Sequence, residues 1–434
     1  MNIQRIKIEE AREDCVANQY AEVYTEKDGL NRMETWSTMA SSDFMGGSWK
    51  RFSNDNGRTW TEWEEEKVYS QPQHQGDNER QLWASNRKTW NPVHKHYMSL
   101  TVENIWLNGH LAAYAAVYGK GDGSLFAQHG YLSVTDEAGN EKKQLIRYEE
   151  GEDFDPDNWG KPEYFLHNRS QASMPNILVD EKGDIIFALY APMIACLRLA
   201  KANVQEIFPS IPEHAHGIIV FHGIFNGENY DLTPVKPIVI SDIRSSRGFS
   251  EPTIARLKSG RIIVVMRGSN SRPDSWKTKR INPGTPSFKW FSYSDDGGKT
   301  FTEPMPWYFD SGEVVYSSAT ISHIIRSEKN GKLYWIGNIT APAANVDGNY
   351  PRWPLHILEI DDTWGHAKKD TVVEIDTCRE GESDKVQLSN FGILQDRETG
   401  NIEVRLTKIG QFWPHKCDSV WKSEPWKYVI ELDD

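Results

Sequence analysis

Two stretches of this chain place imidazoles where they could move protons. In His94-Lys95-His96 and His129-Gly130-Tyr131 the outer residues are two apart, so on an extended strand both side chains point to one face. An imidazole beside a second imidazole or a phenol is an acid–base pair, able to take a proton from one atom and return it to another. Two imidazoles are also two metal ligands, but no carboxylate stands near them in sequence to complete a set, so no metal is expected. The Asp-rich turns lack the spacing of a calcium loop, and no cofactor is expected. A second group has the chemistry of binding: Asn18 and Gln19, Gln171 and Ser173, Ser250 and Glu251, Ser317 and Ser318, Gln387 and Asn390. These amides and hydroxyls, with one carboxylate, match the donors and acceptors of sugar hydroxyls.

The elements that must position these groups recur along the chain. Six times a short apolar run meets a turn ending in glycine and continues into a second aliphatic run, at Gly29, Gly109, Gly183, Gly260, Gly331 and Gly400. The separations are 80, 74, 77, 71 and 69 residues. A near-constant period of β-hairpins marks a repeat of sheets, because a pair of strands cannot cover its own apolar faces and must stack on its neighbours. The reading is all-β: a six-bladed β-propeller of four-stranded antiparallel blades, one domain over residues 1–434. The first strand of each blade then lines the axis. The polar residues named above, with His94 and His96, would start those strands and converge on one mouth. Ile6 and Ile8 alternate with period two, as do Trp426, Tyr428 and Ile430. The N-terminal strand is therefore expected to complete the last blade. A short helix is expected over Ala200 to Phe208.

The 434 residues carry a net charge of −13, which disfavours nucleic acid because phosphate binding needs a basic stripe. The longest apolar run, Ile185 to Leu197, contains Pro192 and is shorter than the roughly 18 residues of a membrane span. Residues 1–9 contain no secretory apolar segment, so the chain as given reads as cytoplasmic unless a leader has been removed. Cys15, Cys196, Cys378 and Cys417 are far apart and read as reduced thiols of the sheets. Seventeen Trp fill interfaces between sheets and suit stacking on carbohydrate.

The most specific motif occurs twice. Ser53-Asn54-Asp55-Asn56-Gly57-Arg58-Thr59-Trp60 and Ser294-Asp295-Asp296-Gly297-Gly298-Lys299-Thr300-Phe301 both read Ser-x-Asp-x-Gly-x-Thr-aromatic. Asp and Ser side chains bond the turn amides, and Gly takes the positive dihedral. These resemble the Asp boxes, or BNR repeats, of the sialidase (neuraminidase) superfamily, which stabilise the propeller away from its site.

The resemblance extends to residues that carry chemistry. Phe249-Ser250-Glu251-Pro252-Thr253, with Arg267 after the next strand, is similar to the sialidase segment holding a catalytic glutamate and one substrate-binding arginine. Asn349-Tyr350-Pro351-Arg352-Trp353 is similar to the stretch carrying another such arginine, and Asp43, ten residues before Ser53, stands where the general acid is found. The resemblance thus implies Glu251 and Asp43 as catalytic carboxyls, with Arg267 and Arg352 gripping the carboxylate of an acidic sugar. Two departures count against ordinary sialidase chemistry. Leu388 stands in the position of the tyrosine nucleophile, and Asn18-Gln19-Tyr20 where a further arginine is expected.

Three functions follow. The first is a glycoside hydrolase removing a terminal, acidic sugar by means of Glu251 or Asp43, with Arg267, Arg352, Gln19, Gln171 and Asn390 binding substrate. The second, drawn from related propellers, is a lyase at a uronate linkage using His94, His96 or His129 with Tyr131, and His222 as a further source. The third is a glycan-binding propeller without chemistry. In each the partner is a glycan or oligosaccharide, with neither nucleic acid nor membrane.

Overall fold

The structure, a computed structural model, describes residues 1–13, 17–41, 44–66, 73–83, 88–108, 126–149, 155–172, 176–210, 212–213, 215–270, 284–344, 348–413 and 422–433. The fold is all-β, a six-bladed β-propeller of antiparallel sheets. The described helices are short: Pro162–Phe165, Met193–Leu199 and Val204–Ile207. The chain groups into two compact units. One comprises Met1–Ser70, Tyr308–Asn345 and Asn349–Asp434; the other comprises Gln71–Trp307 and Val346–Gly348.

The first unit holds three blades. In the first blade Ala17–Tyr24, Arg32–Ser41, Phe44–Ser53 and Glu64–Glu65 pair in sequence order. The fifth blade is Ser322–Arg326, Leu333–Asn338, Leu355–Ile360 and Val373–Asp376. The sixth is Phe391–Gln395, Ile402–Thr407 and Pro425–Glu431, with Asn2–Lys7 as its fourth strand. Ile3 lies opposite Ile430 and Arg5 opposite Tyr428. The expected sharing of one blade by the two chain ends is therefore observed, and it covers an edge that would otherwise present unpaired backbone groups.

In the second unit, the third blade is Ile177–Val179, Ile185–Pro192, His216–Phe225 and Tyr230–Pro234. The fourth is Phe249–Arg256, Ile262–Gly268, Lys289–Ser294 and Met305–Pro306. Ile185–Pro192 is apolar on both sides because it is covered on both. Ile185, Phe187 and Leu189 pack in one core with Leu100 and Leu132 of the second blade; Ile186 and Ala188 pack in another with Ile254 and Val264 of the fourth. Burial on both faces selects a continuous aliphatic run rather than an alternating one. Of the run read as one apolar stretch, Met193–Leu199 leaves the sheet as a helix after Pro192. The helix expected within Ala200 to Phe208 is observed over Val204–Ile207, where the Asn203 side chain accepts from Gln205 N–H.

The second blade departs from the glycine period. Its strands are Gln73–Gln75, Asn78–Trp83, Thr89–Asn91, His96–Trp106, Phe126–Asp136 and Glu141–Leu145. Asn78–Trp83 and Thr89–Asn91 pair successive stretches of His96–Trp106. The hairpin turn is therefore at residues 92–95, closed by Lys95 N–H on Asn91 O at 2.9 Å. Gly109 lies outside the described residues, beyond the far end of His96–Trp106.

The two Ser-x-Asp turns share one hydrogen-bond pattern. Ser53 Oγ donates to Asp55 Oδ1 (2.8 Å) and accepts from Gly57 N–H (2.8 Å), while Thr59 donates its hydroxyl to Asp55 Oδ2 (2.6 Å). Ser294, Gly298 and Thr300 repeat these bonds around Asp296 at 2.7, 2.8 and 2.6 Å. Donors from the Thr side chain and the turn amides hold Asp55 down to about 2 and lower Asp296 as well.

Candidate functional site

Glu251 lies at an irregularity in the first strand of the fourth blade. Ser250 pairs Arg267, but the register shifts before Thr253 pairs Val265. At this bulge Glu251 adopts φ 49°, a left-handed backbone that costs a residue with a Cβ about 1–2 kcal/mol. Arg267 Nη1 donates to Glu251 Oε1 at 2.6 Å. The other oxygen, Oε2, is buried and has no hydrogen-bond partner among the described residues. Lys289 stands directly opposite Arg267 on the next strand and is only 1% exposed. Burial lowers its amine to about 7; the carboxylate of Glu251 works against that shift and the guanidinium of Arg267 adds to it. The sequence reading named both Glu251 and Arg267, which the structure pairs, and did not name Lys289. The only signal was a lysine at the start of Lys289–Ser294, a strand of otherwise uncharged residues.

Gln171 extends the first strand of the third blade. Its N–H donates to Tyr190 O at 2.8 Å and its carbonyl accepts from Tyr190 N–H at 3.1 Å. Two residues earlier Arg169 is half-buried, its Nε has no hydrogen-bond partner among the described residues, and burial lowers its pKa. Sequence reasoning missed it as well. Ser173 lies outside the described residues.

The structure separates the histidines into two groups, with the rings of His94 and His96 stacked 5.9 Å apart in one of them. His96 is opposite Asp136 and His129 opposite Glu103, seven residues apart along the strand, which is about 23 Å. His94 lies in the 92–95 turn rather than at the start of a first strand, and Asn91 ties this turn to Gly183 O at 2.9 Å. His96 Nε2 lies 2.8 Å from the Tyr230 hydroxyl, and its burial lowers its pKa. His129 is 0% exposed, with Nε2 3.1 Å from both Tyr164 O and His167 O. Burial pushes it down to about 4. The Tyr131 hydroxyl contacts that of Tyr164 at 2.7 Å and Glu103 Oε2 at 3.3 Å. Arg80 Nε stands 3.1 Å from Glu103 Oε1. Burial raises both Glu103 and Tyr131, and Arg80 works against the rise at Glu103. His222 Nε2 lies 2.8 Å from Gly298 O and braces the second Ser-x-Asp turn.

In the first unit, Arg352 Nη1 donates to Gln387 Oε1 at 2.8 Å and Nε to Asn349 O at 3.2 Å. Its guanidinium lies 5.9 Å from the centre of the Tyr350 ring. Gln387 Nε2 in turn donates to the Tyr350 hydroxyl at 3.4 Å, a phenol that sequence reasoning passed over beside Arg352. Asn338 Nδ2 gathers the carbonyls of Arg352, Pro354 and Leu388 at 3.0 to 3.1 Å. Leu388 is fully buried. Asn390 Oδ1 accepts from Ser389 Oγ at 3.3 Å. Gln19 pairs Ser37 in the first blade, and its Oε1 is buried without a hydrogen-bond partner among the described residues. Asp43 lies outside the described residues. Among the described residues no group of three or more His, Cys, Asp and Glu could hold a metal ion.

No protein-family model matches the chain, and no curated protein matches it in sequence. Solved structures do. A protein of unknown function from Dyadobacter fermentans aligns over 99% of both chains with a TM-score of 0.56 at 12% identity. The NanB sialidase of Streptococcus pneumoniae aligns over 95% of this chain and 68% of its own with a TM-score of 0.53 at 11% identity. An α-L-arabinofuranosidase from Fusarium graminearum gives a TM-score of 0.46 at 9% identity over 97% of this chain and 94% of its own. At such identities the likeness is one of architecture, and the chain has a sialidase-like propeller fold of the kind that carries glycoside hydrolases.

Proposed function

We propose that this protein is a glycoside hydrolase acting on a terminal acidic sugar, with Glu251 as a reacting carboxyl. The observation that carries the reading is the placement of Glu251. Its backbone is held in a left-handed conformation, one carboxylate oxygen is fixed by Arg267, and the other is buried with no hydrogen-bond partner among the described residues. A fold tolerates strain and an unsatisfied buried oxygen together where the group is needed for a reaction. In this reading Oε2 takes a proton from water as that oxygen adds to the anomeric carbon. The glycosidic C–O bond then breaks, and the leaving oxygen takes a proton from a second acid. Uronate elimination by His129 and Tyr131 is the weaker reading: His129 Nδ1 also lacks a hydrogen-bond partner among the described residues, but the whole ring is buried and its Nε2 faces two carbonyls.

The test is a panel of sialylated, uronate-containing and neutral glycosides, followed by release of reducing ends and by absorbance of unsaturated uronate. Hydrolysis of an acidic glycoside that falls about 10²–10⁴-fold in Glu251→Gln is the expected result. Absorbance of unsaturated uronate, or turnover undiminished in Glu251→Gln, would overturn the reading.

A further inference from the structure

The two Ser-x-Asp turns make the same hydrogen bonds and use their aromatic residues differently. Phe301 packs into a core with Ile254 and Val264. Trp60, its counterpart, is half-buried and lines an open cleft of about 420 Å3. The wall opposite the turn comes from the hairpin that joins Ala17–Tyr24 to Arg32–Ser41. We propose that this cleft, built wholly from residues 25–61, is a binding site for a neutral oligosaccharide. Its volume lies within the range of about 300–1,000 Å3 common to small-ligand sites.

The lining chemistry selects the ligand. Phe52, 37% exposed, and Trp60 supply apolar ring surface for the carbon face of a sugar. Around them stand uncharged polar groups. Thr61 Oγ accepts from Phe52 N–H at 3.0 Å and keeps its own proton to donate. Asn31 gives its amide N–H to Glu26 Oε1 and keeps its carbonyl, and Asn54 is exposed at the rim. The one charge in the wall, Arg32, offers nothing to an anion. Its guanidinium donates to Asn56, Tyr24, Glu22, Asp396 and Glu403. The nearby cations are paired as well, Lys50, 5.8 Å from the Phe52 ring, with Glu64 and Glu66 and Arg51 with Glu34, so a sugar carboxylate or phosphate would lose its hydration for little return, whereas hydroxyls meet donors and acceptors already in place.

The aromatic wall is also pre-ordered. Arg51 lies 4.9 Å from the Trp60 ring and 4.4 Å from that of Trp63, and Glu34 accepts from Arg51 Nε at 2.7 Å. Trp63 meets Trp36 edge to face at 6.1 Å, and Trp36 stacks on Trp49 at 4.0 Å. A ring clamped in this way loses little conformational entropy when a ligand arrives.

The test uses the full chain in isothermal titration and affinity electrophoresis with cellohexaose, xylohexaose and arabinohexaose, and with sialyllactose as a charged control. At least one neutral hexaose is expected to bind, with Phe52→Ala and Asn54→Ala each weakening it fivefold or more. Asn54 is an exposed turn residue, so its variant separates recognition from folding. Glu251→Gln is expected to leave this binding unchanged, which keeps the result independent of the hydrolase reading. No neutral hexaose binding, affinity unaltered in both cleft variants, or loss of binding in Glu251→Gln would each overturn the proposal.

Discussion

Arg267 holds one oxygen of Glu251 at 2.6 Å and leaves the other buried without a hydrogen-bond partner among the described residues. The pairing depends on the bulge after Ser250, since a regular strand would alternate Glu251 away from the face that Ser250 shares with Arg267. The carboxylate is fixed through one oxygen, and the other is enclosed by the fold.

Lys289, buried beside this pair, gives the stability of the fold a pH dependence. Its amine falls from 10.5 to about 7 on folding, chiefly through burial. Between those values the unfolded chain holds a proton that the folded chain does not, so stability rises with pH across the window. The cost of the buried charge is felt in full below about pH 7. Lys289→Met is expected to remove this slope, at most about 1.4 kcal/mol per pH unit. Urea midpoints of both proteins from pH 7 to 9.5 would show it; parallel slopes would exclude the effect.

Arg352 is the second arginine proposed to bind substrate. Its side chain is half-buried and held by Gln387 and by the carbonyl of Asn349. Arg352→Ala should therefore shift stability by no more than about 1–2 kcal/mol while reducing turnover of an acidic glycoside. Arg352→Lys should restore little, because an ammonium cannot reproduce the planar fork. Full activity in Arg352→Ala would remove this residue from the site.

How much of this was legible in the sequence depended on the range of the interaction involved. Hairpins such as Ile177–Val179 with Ile185–Pro192 are local, and their apolar runs and turn residues announced them. The second blade failed because the ruler assumed one glycine turn per repeat, whereas its turn at 92–95 uses Lys95 with φ 54° in place of glycine. Glu251 and Arg267, sixteen positions apart, were found through one resemblance running from Phe249 to Arg267. Lys289, Arg169 and Tyr350 were missed because their significance comes from partners on other strands and from burial. Neither quantity is written in local spacing. The same holds for His129, whose acid–base chemistry looked open in sequence and is closed by the carbonyls of Tyr164 and His167.

Arg32 illustrates long-range pairing that no local pattern contains. Its guanidinium is 2% exposed and faces Glu22, Asp396 and Glu403, the last 371 residues away. Arg405 adds contacts to Glu22 and Glu34, and Lys427 reaches Glu403 at 2.8 Å. Arg32→Met would leave buried carboxylates without their central cation, an imbalance that costs about 3–5 kcal/mol. Denaturant unfolding measures it directly. A loss below about 1 kcal/mol would mean that Arg405 and Lys427 suffice.

The closing strand gives the last expectation. Asn2–Lys7 pairs residue for residue with residues 426–431, and the Met1 amine reaches Asp433 at 3.0 Å. Tyr428 and Ile430 of the covered strand are fully buried. The Tyr428 hydroxyl donates to buried Asp376 at 2.6 Å, which helps to hold that carboxyl below its usual range. Deleting residues 1–7 would strip the ladder from one side of Pro425–Glu431, and an uncovered strand is a template for pairing with another chain. The shortened protein is expected to unfold at lower temperature and to aggregate in a concentration-dependent manner. Light scattering against protein concentration, with a synthetic Asn2–Lys7 peptide added back, would test this. Aggregation suppressed by the peptide would locate the cause at this edge, and a monodisperse truncated chain of unchanged melting temperature would show that three strands are enough for the sixth blade.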